Sequence, residues 1–341
     1  MTDPAPTTVT QDPPDRRTLA DAVAIGRSLG RRVWSNGILV ALIILVAAGA
    51  ILSPNFLTPS NLANVSRQGS IVGILGIGMT FVILTAGIDL SVGSILGLVA
   101  IGFAMAMAAD VPWPLAIVLA LLVGGGVGAI NGLGITKGGL QPFIMTLGML
   151  VIARGVTLTL SDGKPIRAGE DAESIAWIGS GDVVGVPVPL LLFAGIALGS
   201  WFVLRWTPFG RQVYAVGDNP EAARLSGIPT GRVVFSAYVI SGVCAAVAAL
   251  IVVSRLAAAE PTQGTGFELD AIAIVVIGGT SLFGGEGGIG GTVIGAAVVA
   301  AMNNLLNLLG VSPFSQQIVK GLIILGAVFL ERRTRSQEGG R

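Results

Sequence analysis

The stretch IVGILGIGMTFVILTAGIDLSVGSILGLVAIGFAMAMAADVPWPLAIVLALLVGGGVGAINGLGITKGGLQPFIMTLGMLVIA, residues 71–153, carries only three charged side chains, Asp89, Asp110 and Lys137. A soluble domain is about 25% charged, and a chain this poor in polar groups cannot build a water-facing surface. The rest of the sequence has the same character: of 341 residues, 52% are hydrophobic, 11% are charged and 50 are glycine. Crossing the hydrocarbon core takes about 20 mostly apolar residues in a helix. Ten segments qualify, at roughly 35–52, 66–86, 92–109, 113–132, 142–160, 187–204, 233–255, 268–281, 289–309 and 315–331. They are apolar on all sides and too long for the alternating strands of a membrane barrel. The fold class expected is an all-α polytopic membrane protein with about ten transmembrane helices.

Composition also excludes several chemistries. There is no histidine, and Cys244 is the only cysteine, so neither a His-ligated metal nor a disulfide scaffold is expected. No catalytic residue, metal or cofactor is assigned. A net charge of +1 gives no reason to expect a nucleic-acid partner.

Orientation follows from where lysine and arginine fall. Residues 1–33, including Arg16, Arg17, Arg27, Arg31 and Arg32, form a Pro- and Thr-rich tail expected to be partly disordered. Arg205, Arg211, Arg224 and Arg232 lie in the loop 205–232, and Arg332, Arg333, Arg335 and Arg341 close the chain. With Lys137 these are fourteen of the twenty basic residues, and ten spans put them all on one side. The segment between spans five and six is rich in acids instead. Both termini are therefore expected in the cytoplasm, with the membrane domain over 34–332 and a short tail over 333–341.

The loop 205–232 contains a short helix with clear punctuation. Asn219 suits the cap, Pro220 the first turn, and Gly227 followed by Pro229 the stop. A helix over 220–226 is marginal by itself and offers apolar Ala222, Ala223, Leu225 and Ile228. Either it docks in a groove of a cytoplasmic partner or it packs back on the membrane helices.

Two acids stand out against the cost of a carboxylate in a membrane helix, about 2.5–3.5 kcal/mol at its centre. Asp89 lies in Gly87-Ile88-Asp89-Leu90-Ser91-Val92-Gly93, and Glu286 in Gly284-Gly285-Glu286-Gly287-Gly288. Both precede a span that returns outward, and the two neighbourhoods echo each other as paired glycine breaks do in transport proteins. Gly87, Asp89, Ser91, Gly93, Gly285, Glu286 and Gly287 are thus candidates for helix breaks or a gate. Capping of the following helix is the simpler role for the acids. The match of Gly285, Gly287 and Gly290 to a dinucleotide fingerprint lacks the surrounding βαβ unit and is set aside. Gly124, Gly128 and Gly132 recur every four residues, as in closely packed helices. Polar residues at membrane depth are few. Thr85, Asn131, Gln141, Phe143, Thr146 and Asn304 are the candidates for a substrate pathway. Arg67, Lys164, Arg167 and Arg255 could meet acids on an external protein, and Lys320 could snorkel.

The segment DNPEAARLSGIPTGRV resembles the coupling loop of ABC-importer permeases, carried by Glu221, Ala222, Ala223 and Gly227. FVILTAGIDLSVGSILGLVA (81–100), NGLGITKGGLQPFIMTLGMLVIARG (131–155) and IVVIGGTSLFGGEGGIGGTVIGA (274–296) resemble the ribose-type branch of those permeases. The resemblance covers about 56–332. It implies a permease subunit in a bacterial inner membrane, a second permease subunit (identical by default), cytoplasmic ABC ATPase subunits that grip the loop around Asn219, Arg224 and Leu225, and a periplasmic or extracytoplasmic sugar-binding protein. A ribose-like pentose is the implied cargo. The chain has no phosphate-binding G-x-x-x-x-G-K-[ST] loop, so ATP would be hydrolysed on other chains. The alternative from a different class is an ion- or proton-coupled secondary transporter of a small polar solute.

Overall fold

The computed structural model describes residues 37–312, 314–322 and 325–326. The tails expected over 1–33 and 333–341, and the far end of the last expected span, lie outside these residues. The described residues are mostly helical. In chain order the elements are α1 (Gly37–Leu52), α2 (Pro59–Leu84), α3 (Val92–Ala108), α4 (Trp113–Thr136), α5 (Pro142–Ser161), a 3-10 turn (Glu170–Ile175), α6 (Ala176–Ser180), α7 (Val188–Trp206), α8 (Pro208–Asp218), α9 (Pro220–Leu225), α10 (Thr230–Leu256), α11 (Phe267–Ile277) and α12 (Ile289–Leu308). Residues 314–322 are also helical. Two antiparallel pairs of two-residue strands complete the fold: β1 (Ile166–Arg167) with β4 (Ala258–Ala259), and β2 (Asp182–Val183) with β3 (Val186–Pro187).

Proline marks the starts. It stands in the first turn of α2, α4, α5, α7, α8 and α9, where its missing N–H has no intrahelical partner to lose. Six helices, α2, α4, α5, α7, α10 and α12, are long and apolar enough to cross a membrane, and α1 and α3 are shorter and apolar. The chain is thus a polytopic membrane protein. Helix α2 starts seven residues before the expected 66 because Arg67 and Gln68 lie inside it; Arg67 turns back to Asp182 at 3.0 Å.

The centre is built from α2 and α10. The second half of α2 is buried from Ser70 to Leu84, and α10 is buried along most of its length. Around them α4 buries only one stripe, Ala116, Ala120, Gly124, Gly128, Asn131 and Gly132, while Leu122 is 65% exposed. Val151 and Leu198 on α5 and α7 are exposed in the same way. Apolar side chains facing outward are what a lipid-facing surface requires. The stripe of small residues lets α4 lie directly on α10. A methyl group on Gly128 would collide with the carbonyl of Tyr238, and one on Gly242 with that of Gly124. Dispersion between close backbones holds such a contact in a medium with no hydrophobic drive between helices.

The segment expected as a span over 268–281 is different. Helix α11 has 11 residues, about 16 Å at 1.5 Å per residue, too short to cross the core. It is preceded by a non-helical stretch, 257–266, in which the short strand β4 is followed by successive turns, and this stretch folds back along α3. One end pairs with β1 beside the C-terminal end of α3, where Gly169 packs on Ala108. The other end puts Gly264 on Gly93, at the start of α3. Non-helical backbone inside a membrane domain needs protein partners for its carbonyls. Arg154 from α5 supplies them, donating to the carbonyls of Pro261 and Gln263, the latter at 3.0 Å.

Candidate functional site

Between α7 and α10 the chain forms two helices, not one. Thr207 caps α8 by accepting from the Gly210 amide at 3.2 Å. Asn219 caps α9, accepting from the Ala222 amide at 2.9 Å, and the turn closes through Gly227 at φ +81°. The short helix ends one residue before the expected 226. Helix α8 is an addition to the sequence reading. Its signals are present: Thr207-Pro208 is a cap followed by a first-turn proline, and Gly210, Val213 and Gly217 recur at helical spacing and are buried.

The two faces of α9 differ. Ala223 is 4% exposed and points inward, whereas Ala222 is exposed and Leu225 is 77% exposed. Glu221 and Arg224 pair at 2.7 Å on the outer side, and that hydrogen-bonded carboxylate raises the Arg224 pKa.

The C-terminal end of α8 sits where the two glycine breaks meet. The Gly285 amide donates to the Leu84 carbonyl, the last residue of α2, at 3.0 Å. Gly217 fills the angle between them: a methyl group there would strike the Leu84 carbonyl and lie 2.5 Å from the Gly285 nitrogen. The Tyr214 hydroxyl donates to the Gly287 carbonyl at 3.0 Å. Both breaks also end their helices alike. Gly87 N–H bonds back to Val82 and Thr280 N–H to Val275, each closing a six-residue turn with a left-handed residue inside it, Ala86 and Gly279.

The acids of the two breaks have separate surroundings. Asp89 is fully buried. One carboxylate oxygen accepts from the Ser91 amide at 3.0 Å and the Ser91 hydroxyl at 2.6 Å, and the other from Ser241 at 2.8 Å. Asn131 donates to the Ser91 hydroxyl at 2.9 Å. Next door the Ile88 carbonyl accepts from Thr146 at 3.2 Å and Tyr238 at 3.3 Å. Ser241 is eleven residues past Thr230 in the 27-residue α10, about 17 Å along it. Asp89 therefore lies inside the helical body, level with the interior of α10, and binds the residue that precedes α3 rather than capping later amides. Glu286 is half-buried in the loop 278–288, where its carbonyl accepts from the Ser281 amide at 2.9 Å.

The residues expected along a pathway do not converge on one point. Asn131 and Thr146 belong to the Asp89 network. Thr85 bonds to Val82 in its own turn at 2.8 Å. Gln141 and Phe143 are exposed at the start of α5. Asn304 pairs with Asn61 of α2 through two hydrogen bonds of 2.9 and 2.8 Å. Two of the external basic residues already have internal partners, Arg67 with Asp182 and Lys164 with Asp162 at 2.8 Å. Lys320 does not reach outward either: its ammonium lies 2.8 and 2.9 Å from the two oxygens of Asp270, which is 4% exposed. Asp270 was missed in the sequence, although an acid within the apolar run Ala271-Ile272-Ala273-Ile274 carries the same cost that singled out Asp89.

Residues 61–328 match the family described as branched-chain amino acid transport system / permease component. The chain is 45% identical to the ribose import permease protein RbsC of Escherichia coli K12 over 90% of this chain and 97% of that one. It is 48% identical to the ribose import permease protein RbsC of Bacillus subtilis 168, covering 89% and 96%. It is 43% identical to the D-allose transport system permease protein AlsC of Escherichia coli K12, covering 88% and 92%. No solved structure matches the chain.

Proposed function

The chain belongs to this family of transport-system permease components, and on that premise we propose that it is the membrane-spanning subunit of an ATP-driven ABC importer for a monosaccharide. The family description names amino acids, but relatives at 43–48% identity over nearly their whole length carry the names of ribose and allose systems. A ribose-like pentose is the first cargo to try. In this reading ten helical segments enter the bilayer of a bacterial inner membrane, with both termini, α8 and α9 on the cytoplasmic side. The basic residues Arg205, Arg211, Arg224 and Arg232 around α8 and α9 support that orientation. An extracytoplasmic binding protein delivers the sugar, two ATPase subunits bind α9, and a second copy of the permease completes the pathway.

The single observation that carries the mechanism is the seat of α8 on both glycine breaks at once. A motor acting on a permease must convert movement of a surface helix into movement of the membrane helices. Here a displacement of α8 pushes Gly217 against Leu84, the end of α2, and pulls Tyr214 against Gly287, just before α12. The two breaks are hydrogen-bonded to each other, so they shift together. Nucleotide binding that favours one position of α8 thereby selects one arrangement of α2, α3, α11 and α12.

Reconstitution tests the assignment. The permease with its ATPase and binding protein, in proteoliposomes, takes up D-ribose only when ATP is supplied. Uptake by the permease alone, driven by an ion gradient, overturns it.

A further inference from the structure

A cavity of about 300 Å³ lies between α2, α10, α11, α12 and the helical residues 314–322. It borders the turns before α11 and the start of that helix: Gln263 and Phe267 are on its wall. Carboxamides dominate its polar lining, with Gln68 from α2, Asn303 and Asn307 from α12, and Gln316 opposite. Some of these are already engaged. Gln316 donates to the Asn307 side chain at 2.8 Å and to the Val311 carbonyl at 3.0 Å, and Asn304 is locked to Asn61. The Asn303 side-chain oxygen is buried and has no hydrogen-bond donor among the described residues. A buried acceptor of this kind costs stability unless something supplies a proton donor.

Three charged side chains line the wall, Arg255, Asp270 and Lys320. Asp270 and Lys320 neutralise each other at 2.8 Å, yet a carboxylate has more acceptor capacity than one ammonium uses. Carboxamides each offer a donor and an acceptor, which matches a hydroxyl, itself both. Phe267, Ile71 and Val72 give the cavity an apolar wall for C–H faces. Its size falls at the lower end of small-molecule sites, about 300–1,000 Å³. Sites built beside a broken helix, with few polar groups on an apolar surface, are where transport proteins hold cargo.

We infer that this cavity is the sugar site of the permease: a neutral polyol binds between α2, α11 and α12, with Asn303 and Gln68 taking its hydroxyls and Phe267 its apolar face. The inference rests on the permease reading, and its ligand class is a small uncharged polyol. Because Asp270–Lys320 joins α11 to residues 314–322, the wall of the site moves when α11 moves, which links occupancy to the break at 278–288.

The test uses the full chain carrying Cys244→Ser, so that an added cysteine is the only thiol. Asn303→Cys and Gln68→Cys are labelled with a small methanethiosulfonate reagent, in excess D-ribose or in excess L-leucine. D-ribose is expected to slow labelling at both positions several-fold and L-leucine to leave it unchanged. Protection by leucine and not by ribose, or by neither, overturns the proposal. In the reconstituted transporter Asn303→Leu is expected to raise KM for ribose at least fivefold; an unchanged KM overturns it as well. If the parent shows no ATP-driven uptake, the importer reading fails, and labelling protection still decides whether the cavity takes a polyol.

Discussion

The amide of Gly285 donates a 3.0 Å hydrogen bond to the carbonyl of Leu84, across two hundred residues of sequence. The Leu84 carbonyl ends the ladder of α2, where a carbonyl has no intrahelical partner, and the Gly285 amide lies in the loop between α11 and α12. The two breaks satisfy each other, and α8 covers the junction. Disturbing any of the three parts should therefore change how surface and membrane helices communicate.

Tyr214→Phe removes only the hydroxyl that reaches Gly287. One such hydrogen bond is worth about 1 kcal/mol, so the protein is expected to fold and assemble. The expected loss is in coupling: ATP hydrolysis by the assembled transporter continues, while sugar delivered per ATP falls several-fold. A ratio of uptake to hydrolysis equal to the parent's would show that this bond transmits nothing.

Gly217→Ala puts a methyl group onto the Leu84 carbonyl, and both neighbours there are backbone. Overpacking of a rigid site costs about 1–3 kcal/mol, and the structure offers no side chain to move aside. The thermal midpoint in detergent is expected to drop by several degrees. Gly126→Ala is the control, since nothing lies within 4 Å of its added carbon; it should melt at or above the parent's temperature.

The helical membrane fold was legible because apolar runs and first-turn prolines act locally. Asn219, Pro220 and Gly227 marked α9 through capping chemistry alone. What sequence could not give was depth. Asp89 reads as a residue just before a helix, which suggests a cap near a membrane face; its partner Ser241, 152 positions away, puts it inside the bundle. Helix α11 hid for a similar reason. Its apolar run continues through Gly278 and Gly279, so hydropathy cannot tell a short helix with a re-entrant approach from a full span. The approach itself is anchored by Arg154, whose role depends on tertiary contact with Pro261 and Gln263. Of the cavity lining, Asn304 was legible as a pathway candidate, and Arg255 and Lys320 were read for other roles, because the walls come together from α2, α10, α11, α12 and residues 314–322.

Asp89 separates charge from size. Its oxygens accept three hydrogen bonds from Ser91 and Ser241. Asp89→Leu leaves two hydroxyls and an amide unpaired in a buried site, at about 1–3 kcal/mol for each group. It is expected to yield little folded protein. Asp89→Asn keeps one acceptor for Ser91 and can donate to the Ser241 hydroxyl, so it should recover most of the yield. Size-exclusion recovery after extraction measures both, and equal recovery for the two variants would rule out the network as a support for the break.

The exposed side chains of α9 decide whether the stub is a docking helix. Ala223 is already inside the protein, so a bulky residue there disrupts α9 whatever binds outside. Leu225 is the better probe, because it is 77% exposed and its side chain has little to lose within the chain. Leu225→Asp is expected to leave the melting temperature of the isolated permease within a degree or two of the parent's, as surface substitutions away from special features change stability by about 0.5 kcal/mol or less. At an interface the same change buries an unpaired carboxylate against an apolar groove. Co-purification of the ATPase subunit should then fall at least tenfold, and ATP-dependent uptake with it. Undiminished capture of the ATPase by Leu225→Asp would mean that the motor engages the permease elsewhere.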